Sequence, residues 1–283
     1  MIWRCRDLTF QTAERVLVMG ILNVTPDSFS DGGRYLEPQA AIARGVELLD
    51  EGADMLDLGA ESTRPGSVPV PADEQWRRLA PVLRGLRAAR PEATLSLDTR
   101  VAEVAERGLA LGAKVVNDVS ALGDPAMAAV VARAGAGLVL MHMRGTPENM
   151  QQDTNYGDVA AEVASHLQSR AAAARAEGVA EECLAFDPGI GFGKSAAGSL
   201  ELLARLPELR ALGRPVLVGA SRKSFLARLT GDEGPPTERV PASLAAAAIA
   251  VYDGAAILRV HDVAATVRVA KLALAARRAR RPA

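Results

Sequence analysis

Val16-Leu-Val-Met-Gly-Ile-Leu22 runs directly into Asn23-Val-Thr-Pro-Asp-Ser-Phe-Ser-Asp-Gly-Gly33. The first seven residues form an unbroken apolar run, the pattern of a strand buried on both faces. The next eleven are polar and irregular, with Pro26 fixing one backbone angle and the Gly32-Gly33 pair freeing another. A loop rich in hydroxyls and carboxylates, hung from a buried strand, suits catalysis better than packing.

The same grammar repeats along the chain. Further apolar runs lie at Met55–Gly59, Thr94–Leu97, Lys114–Val116, Gly137–Met141, Cys183–Phe186, Pro215–Val218 and Ala256–Leu258. Helical periodicity occupies the gaps: Pro38–Glu51, Ala72–Ala89, Val101–Leu111, Asp124–Ala134, Asp158–Glu177, Ser199–Ala211, Arg222–Leu229, Ser243–Tyr252 and Val263–Ala276. Gly52, Gly112, Gly135, Gly178 and Gly213 each mark a helix end before a strand. Eight strand–helix units predict an α/β fold, a single (β/α)8 TIM barrel over residues 1–283, with long catalytic loops after strands 1 and 2. No linker or shift in composition divides the chain.

The 283 residues are 49% hydrophobic and 24% charged, with a net charge of −1. That balance gives no global support for a nucleic-acid groove or an acidic membrane surface. Two distant cysteines, Cys5 and Cys183, suggest neither a disulfide framework nor a zinc site. No apolar run reaches the ~18 residues of a membrane span. A cytoplasmic setting is therefore expected. Arg is the default cation here, which singles out the few Lys residues.

Almost every strand ends in polar side chains. These are Asn23; Asp57 with Glu61 to Arg64; Asp98; Asn117 and Asp118; His142; Asp187; Ser221, Arg222 and Lys223; and Arg259 with His261. In a barrel they converge at the carboxyl face. Asp124 and Asp262, at helix starts, read instead as N-caps. Asp98, Asn117 and Asp187 offer acceptors and one amide donor, a set suited to a flat heterocycle bearing N–H groups. Arg64, Arg259 and His261 offer donors for phosphate oxygens. Asn23 has a neutral oxygen that suits Mg2+, which takes few protein ligands and keeps its waters. Together these residues point to a phosphorylated nitrogen heterocycle with Mg2+ as cofactor.

Pro188-Gly-Ile-Gly-Phe-Gly-Lys-Ser195 nearly matches a Walker A loop, but Pro188 stands where the first Gly belongs and removes an N–H. A turn allowing close approach to a flat ligand, with Phe192 stacking on it, is the preferred reading. Lys223 sits between Arg222 and Ser224 without an apolar surround, so it reads as a hydrogen-bond donor to a ligand rather than a Schiff base.

These motifs resemble the dihydropteroate synthases, pterin-binding TIM-barrel enzymes, over about Val18 to Val263. The specific pieces are Asn23–Gly33, Asp57-Leu-Gly-Ala-Glu-Ser-Thr-Arg-Pro-Gly66, Ser96-Leu-Asp-Thr99, Asn117-Asp118, Met141-His-Met143, Asp187–Gly193, Ser221-Arg-Lys223 and Arg259-Val-His261. The family joins p-aminobenzoate to 6-hydroxymethyl-7,8-dihydropterin pyrophosphate, a step of folate synthesis that sulfonamides block. The resemblance implies that Asp98, Asn117, Asp187 and Lys223 hold the pterin, with Met141, Phe192 and Gly219 around it and Arg259 stacked on its ring. It implies a diphosphate seat of Asn23, Thr63, Arg64, Arg259 and His261, with Mg2+ on Asn23. Phe29, Thr63, Pro65, Lys223 and Ser224 would form the p-aminobenzoate site, with a helix start near Ser224 facing the carboxylate. Asn23, Arg64, Lys223, Arg259 and His261 are the expected catalytic residues, and a homodimer is the family's assembly. Two rivals remain: a pterin-binding methyltransferase, and a catalytically silent pterin-binding paralogue. Neither needs the diphosphate residues.

Overall fold

The alternation of apolar runs and amphipathic stretches builds a parallel sheet that curls back on itself. The computed structural model describes residues 1–25, 37–64, 66–231 and 234–279. Eight strands run parallel: β3 (Leu17–Asn23), β4 (Met55–Gly59), β5 (Leu95–Asp98), β6 (Val115–Asp118), β7 (Gly137–Met141), β8 (Leu184–Asp187), β9 (Leu217–Val218) and β10 (Ile257–Val260). Their order is β8-β7-β6-β5-β4-β3-β10-β9. The two ends of that order meet through a parallel bridge between Phe186 and Val216, supported by Phe186 N–H donating to the Pro215 carbonyl at 2.9 Å. The result is the expected (β/α)8 barrel.

The helices between strands are α1 (Glu37–Asp50), α2 (Ala72–Ala89), α3 (Ala102–Ala110), α4 (Met127–Ala134), α5 (Val159–Ala176), α6 (Ala196–Ala204), α7 (Leu206–Arg210), α8 (Ser224–Thr230), α9 (Val240–Tyr252) and α10 (Val263–Ala279). All five glycines expected to end helices take positive φ. The stretch Ser199–Ala211 is two helices rather than one: the break falls at Arg205, and Pro207 lies in the first turn of the second. Asp158 caps α5 by accepting the Ala161 N–H at 3.0 Å. Asp124 does not cap its own helix: α4 begins later, and the carboxylate accepts from Ala126 N (3.0 Å) and from Ala102 N (2.9 Å) at the start of α3. Asp262 is likewise no cap, since its side chain pairs with Arg222.

Side chains alternate along each strand. Leu56, Leu58, Leu95, Leu97, Val116, Leu138, Leu140, Phe186, Val218 and Leu258 point outward into the main core. Leu17, Met19, Met55, Val115, Val139, Ala185, Leu217 and Ile257 form a second cluster. Two residues further along, the same register reaches Asp57, Asn117, Met141, Asp187, Gly219 and Arg259. The period of two thus places an apolar layer low in the barrel and a polar layer above it.

An antiparallel hairpin that the sequence reading leaves out closes the low end. It pairs β1 (Ile2–Cys5) with β2 (Leu8–Gln11). Trp3 and Cys5 are fully buried against the inner apolar cluster, with Phe10 at its edge. The Trp3 indole N–H donates to the Cys183 carbonyl at 2.9 Å, and Arg6 N–H to the Gly135 carbonyl at 2.7 Å. Trp3→Ala should destabilise the fold by about 3–5 kcal/mol through the cavity it leaves. Urea unfolding followed by circular dichroism measures this; a loss under about 1 kcal/mol would mean that the hairpin is a loose appendage.

Candidate active site

The polar layer is organised around one carboxylate. Asp57 is fully buried and accepts from Ser96 Oγ at 2.6 Å, Asn117 Nδ2 at 2.9 Å and Arg259 Nε at 2.6 Å. Arg259 also donates through Nη2 to Asp98 Oδ2 at 2.6 Å. One guanidinium therefore bridges two carboxylates. Burial pushes the Asp98 carboxyl up, to about 7, against the pull of Arg259. Arg259 itself is held well above its ordinary value, because the pull of Asp57 and Asp98 outweighs burial.

With its amide N–H on Asp57, Asn117 has its oxygen turned the other way. That Oδ1 is buried and unpartnered. A buried acceptor without a donor within the protein can accept a ligand N–H. Asp187, on β8, is buried in the same layer, with β7 between the two strands. Its Oδ1 accepts the Gly189 N–H at 2.7 Å. Burial pushes this carboxyl up, while Lys223 and the Gly189 N–H pull it down. Met141 is buried and stands opposite Asp187 in the β7–β8 register.

Lys223 reaches this layer from the residue before α8. Its ammonium donates to the Ile190 carbonyl and lies 4.2 Å from the centre of the Phe192 ring. Burial lowers the Lys223 pKa to about 8, with Asp187 opposing. Gly219 leaves room beside the Arg259 stem, since a Cβ there would come no closer than 3.8 Å. The expected heterocycle set, Asp98, Asn117, Asp187, Met141, Phe192, Gly219, Lys223 and Arg259, thus lies in one upper layer and the turn above it.

The cationic set lies on the neighbouring strands. His261 follows β10; its Nδ1 lies 3.1 Å from Ser221 Oγ, and its backbone N–H donates to the same oxygen at 3.2 Å. Burial lowers the His261 pKa to about 4, with Arg259, Arg222 and Arg64 adding to the effect. Arg64 is exposed and Thr63 half-buried in the loop after β4. Glu61 shapes that loop: it pairs with Arg100 (2.8 Å) and accepts the Val70 N–H (3.1 Å). Asn23 ends β3, the strand between β10 and β4. Among the described residues no three His, Cys, Asp or Glu side chains converge as a metal cage. A lone amide oxygen fits Mg2+ when diphosphate oxygens and waters complete its shell, and Asn23 stands beside the strands that bear the expected anion donors. Ser224 is exposed at the start of α8. Phe29 and Pro65 lie outside the described residues, as do residues 26–36 of the loop after β3.

The Walker reading of Pro188–Ser195 is excluded by where its lysine goes. Lys194 points into the fold and donates to the carbonyls of Gly189 (2.9 Å) and Phe192 (2.9 Å), not to a phosphate cradle. Two residues gain a role that the sequence reading did not assign. Asp57 and Ser96 face one another in the β4–β5 register, and a carboxylate inside an apolar strand was the available signal, because it demands partners.

The parallel barrel thus carries acceptors for a flat, N–H-bearing heterocycle beside a cationic rim. The family model described as "Pterin binding enzyme" matches residues 19–261. The chain belongs to that family and, within it, to the dihydropteroate synthases, which are transferases. It is 48% identical over 244 residues to the dihydropteroate synthase of Neisseria meningitidis serogroup C, covering 85% of each chain. The Xanthomonas albilineans dihydropteroate synthase solved with 4-aminobenzoic acid has a TM-score of 0.91 and 45% identity over 99% of each chain. The Thermus thermophilus enzyme solved with 6HMPPP has a TM-score of 0.83 and 42% identity over 97% of this chain and 99% of that one. Among the described residues no helix is long and apolar enough to cross a membrane.

The four lysines allow a direct check of the electrostatics. Burial lowers Lys223 to about 8 and Lys194 to about 7. In 13C-labelled protein, two lysine Cε signals should titrate between about pH 7 and 8, below the usual ~10.4. Titration of all four signals above pH 10 would show that neither ammonium is desolvated.

Proposed function

We propose that the chain joins p-aminobenzoate to 6-hydroxymethyl-7,8-dihydropterin pyrophosphate, forming 7,8-dihydropteroate and pyrophosphate in folate biosynthesis. The observation that carries this reading is the buried, unpartnered Asn117 Oδ1, in one layer with Asp98 and Asp187. A pterin presents several N–H donors on one edge, and unpaired donors in a buried site are costly. Asp187 and Asn117 would accept from that edge, Lys223 would donate to the ring, and the Phe192 ring would lie alongside it.

At the rim, Arg64 and His261 would hold the diphosphate, with Thr63 in the same loop. Asn23 would hold Mg2+ through its amide oxygen, and the ion when bound supplies positive charge to the diphosphate. The pterin methylene C–O bond breaks and the diphosphate leaves with the electron pair. The aniline nitrogen then bonds to the methylene, and its proton leaves for water or the departing diphosphate. Positive groups fixed at the leaving oxygens stabilise the charge as it develops. The carboxylates of the polar layer stabilise the pterin cation on the other side. Stabilisation of both the departing diphosphate and the pterin cation favours a dissociative path, and the aniline nitrogen, already nucleophilic, captures the cation without a strong base.

Incubating the protein with Mg2+, the pterin pyrophosphate and labelled p-aminobenzoate should yield labelled dihydropteroate. No product under saturating conditions would leave the chain as a silent pterin binder. Asp187→Asn replaces an acceptor with a donor facing a donor, so pterin affinity should fall by about 2–3 kcal/mol in calorimetry; unchanged affinity would refute the contact. For the dissociative path, deuterium at the pterin methylene should give a large normal secondary isotope effect when chemistry limits the rate. A value near unity would favour direct displacement by the amine.

A further inference from the structure

Lys194 has no place in the reaction as drawn, yet it is 3% exposed. Its Nζ donates to the Gly189 and Phe192 carbonyls (both 2.9 Å), and His142 O lies at 3.2 Å. His142 Nδ1 lies 3.0 Å away. An ammonium has donors only, so Nδ1 accepts and the His142 proton resides on Nε2. These acceptors belong to two segments: the residue after β7 and the turn after β8.

That turn is pressed backbone against backbone on its neighbour. Gly189 has φ +65, and a Cβ there would fall 1.9 Å from the His142 carbonyl oxygen. The Phe192 N–H donates back to the Gly189 carbonyl at 2.9 Å. The turn then supplies three things to the site. Its Gly189 N–H holds Asp187, its Ile190 carbonyl holds Lys223, and its Phe192 ring lies against the Lys223 ammonium. A guanidinium is a planar fork and does not fit a compact pocket of converging carbonyls. That accounts for Lys in a chain where Arg is the usual cation.

We propose that Lys194 is a positioning residue for the pterin site, whose buried ammonium fixes the turn after β8 against the end of β7 and so sets Asp187, Phe192 and Lys223 around the ring. This rests on the pterin reading above. Lys194→Met keeps an unbranched chain one atom shorter and removes the charge; Lys194→Gln keeps two N–H donors. Calorimetry at pH 6.0, about one unit below the Lys194 pKa of about 7, measures binding of the pterin pyrophosphate with Mg2+. Lys194→Met should weaken binding at least tenfold and Lys194→Gln less. In a Phe192→Ala background the added loss from Lys194→Met should shrink at least threefold, because one of the groups it positions is gone. Binding within twofold of the wild type in Lys194→Met overturns the proposal. So do equal losses in both backgrounds, or failure of both single variants to fold, since either assigns Lys194 to stability alone. A wild type that binds pterin but makes no dihydropteroate refutes the synthase reading and leaves this test standing. A wild type that binds no pterin overturns both.

Discussion

A carboxylate with no water around it needs partners on every side, and Asp57 obtains them from three other strands. Ser96 on β5, Asn117 on β6 and Arg259 on β10 all donate to it. Each donor is thereby oriented: the Asn117 amide must turn its oxygen away, and the Arg259 guanidinium must lie where its far nitrogen meets Asp98. One buried charge thus sets the direction of the groups that face the ligand. Losing it would leave a half-buried guanidinium with half its compensation, an expensive state where water is scarce.

Strand order sorts the chemistry. Acceptors sit on β4, β5, β6 and β8, while the cationic and amide groups sit on β10, β3 and the loop after β4. A polar heterocycle and an anion can then lie side by side without either facing groups of its own sign. The low-dielectric barrel wall around them strengthens each attraction.

The barrel was legible because both faces of every strand are buried, so each strand reads as an apolar run. Strand ends were less legible. Asn23, Asp98 and Asp187 close their strands, and Asn117 and Arg259 lie one residue inside the ends of theirs, rather than following them, because a polar side chain turned inward interrupts the hydrophobic pattern without interrupting the hydrogen-bond ladder. The β1–β2 hairpin escaped notice since Arg4, Arg6 and Asp7 hide a pattern only four residues long. Most heterocycle ligands were legible as a set of convergent strand ends. Asp57 was visible but unassigned, as its role depends on partners 39, 60 and 202 residues away. Lys194 was masked by a nucleotide-binding look-alike, and only its inward course distinguishes the two.

The hairpin beneath the barrel has a consequence at the opposite end. With Trp3 and Cys5 buried against the inner apolar cluster, the described residues close the end of the barrel below the polar layer. For ligands that enter from the rim, the one that rests deepest arrives before one joined to it from above, and the two become a single longer object. That object can leave only by being drawn out whole, its newest part leading. The residues at the rim therefore face every departing product along its entire length, whereas those at the bottom feel only its last ring.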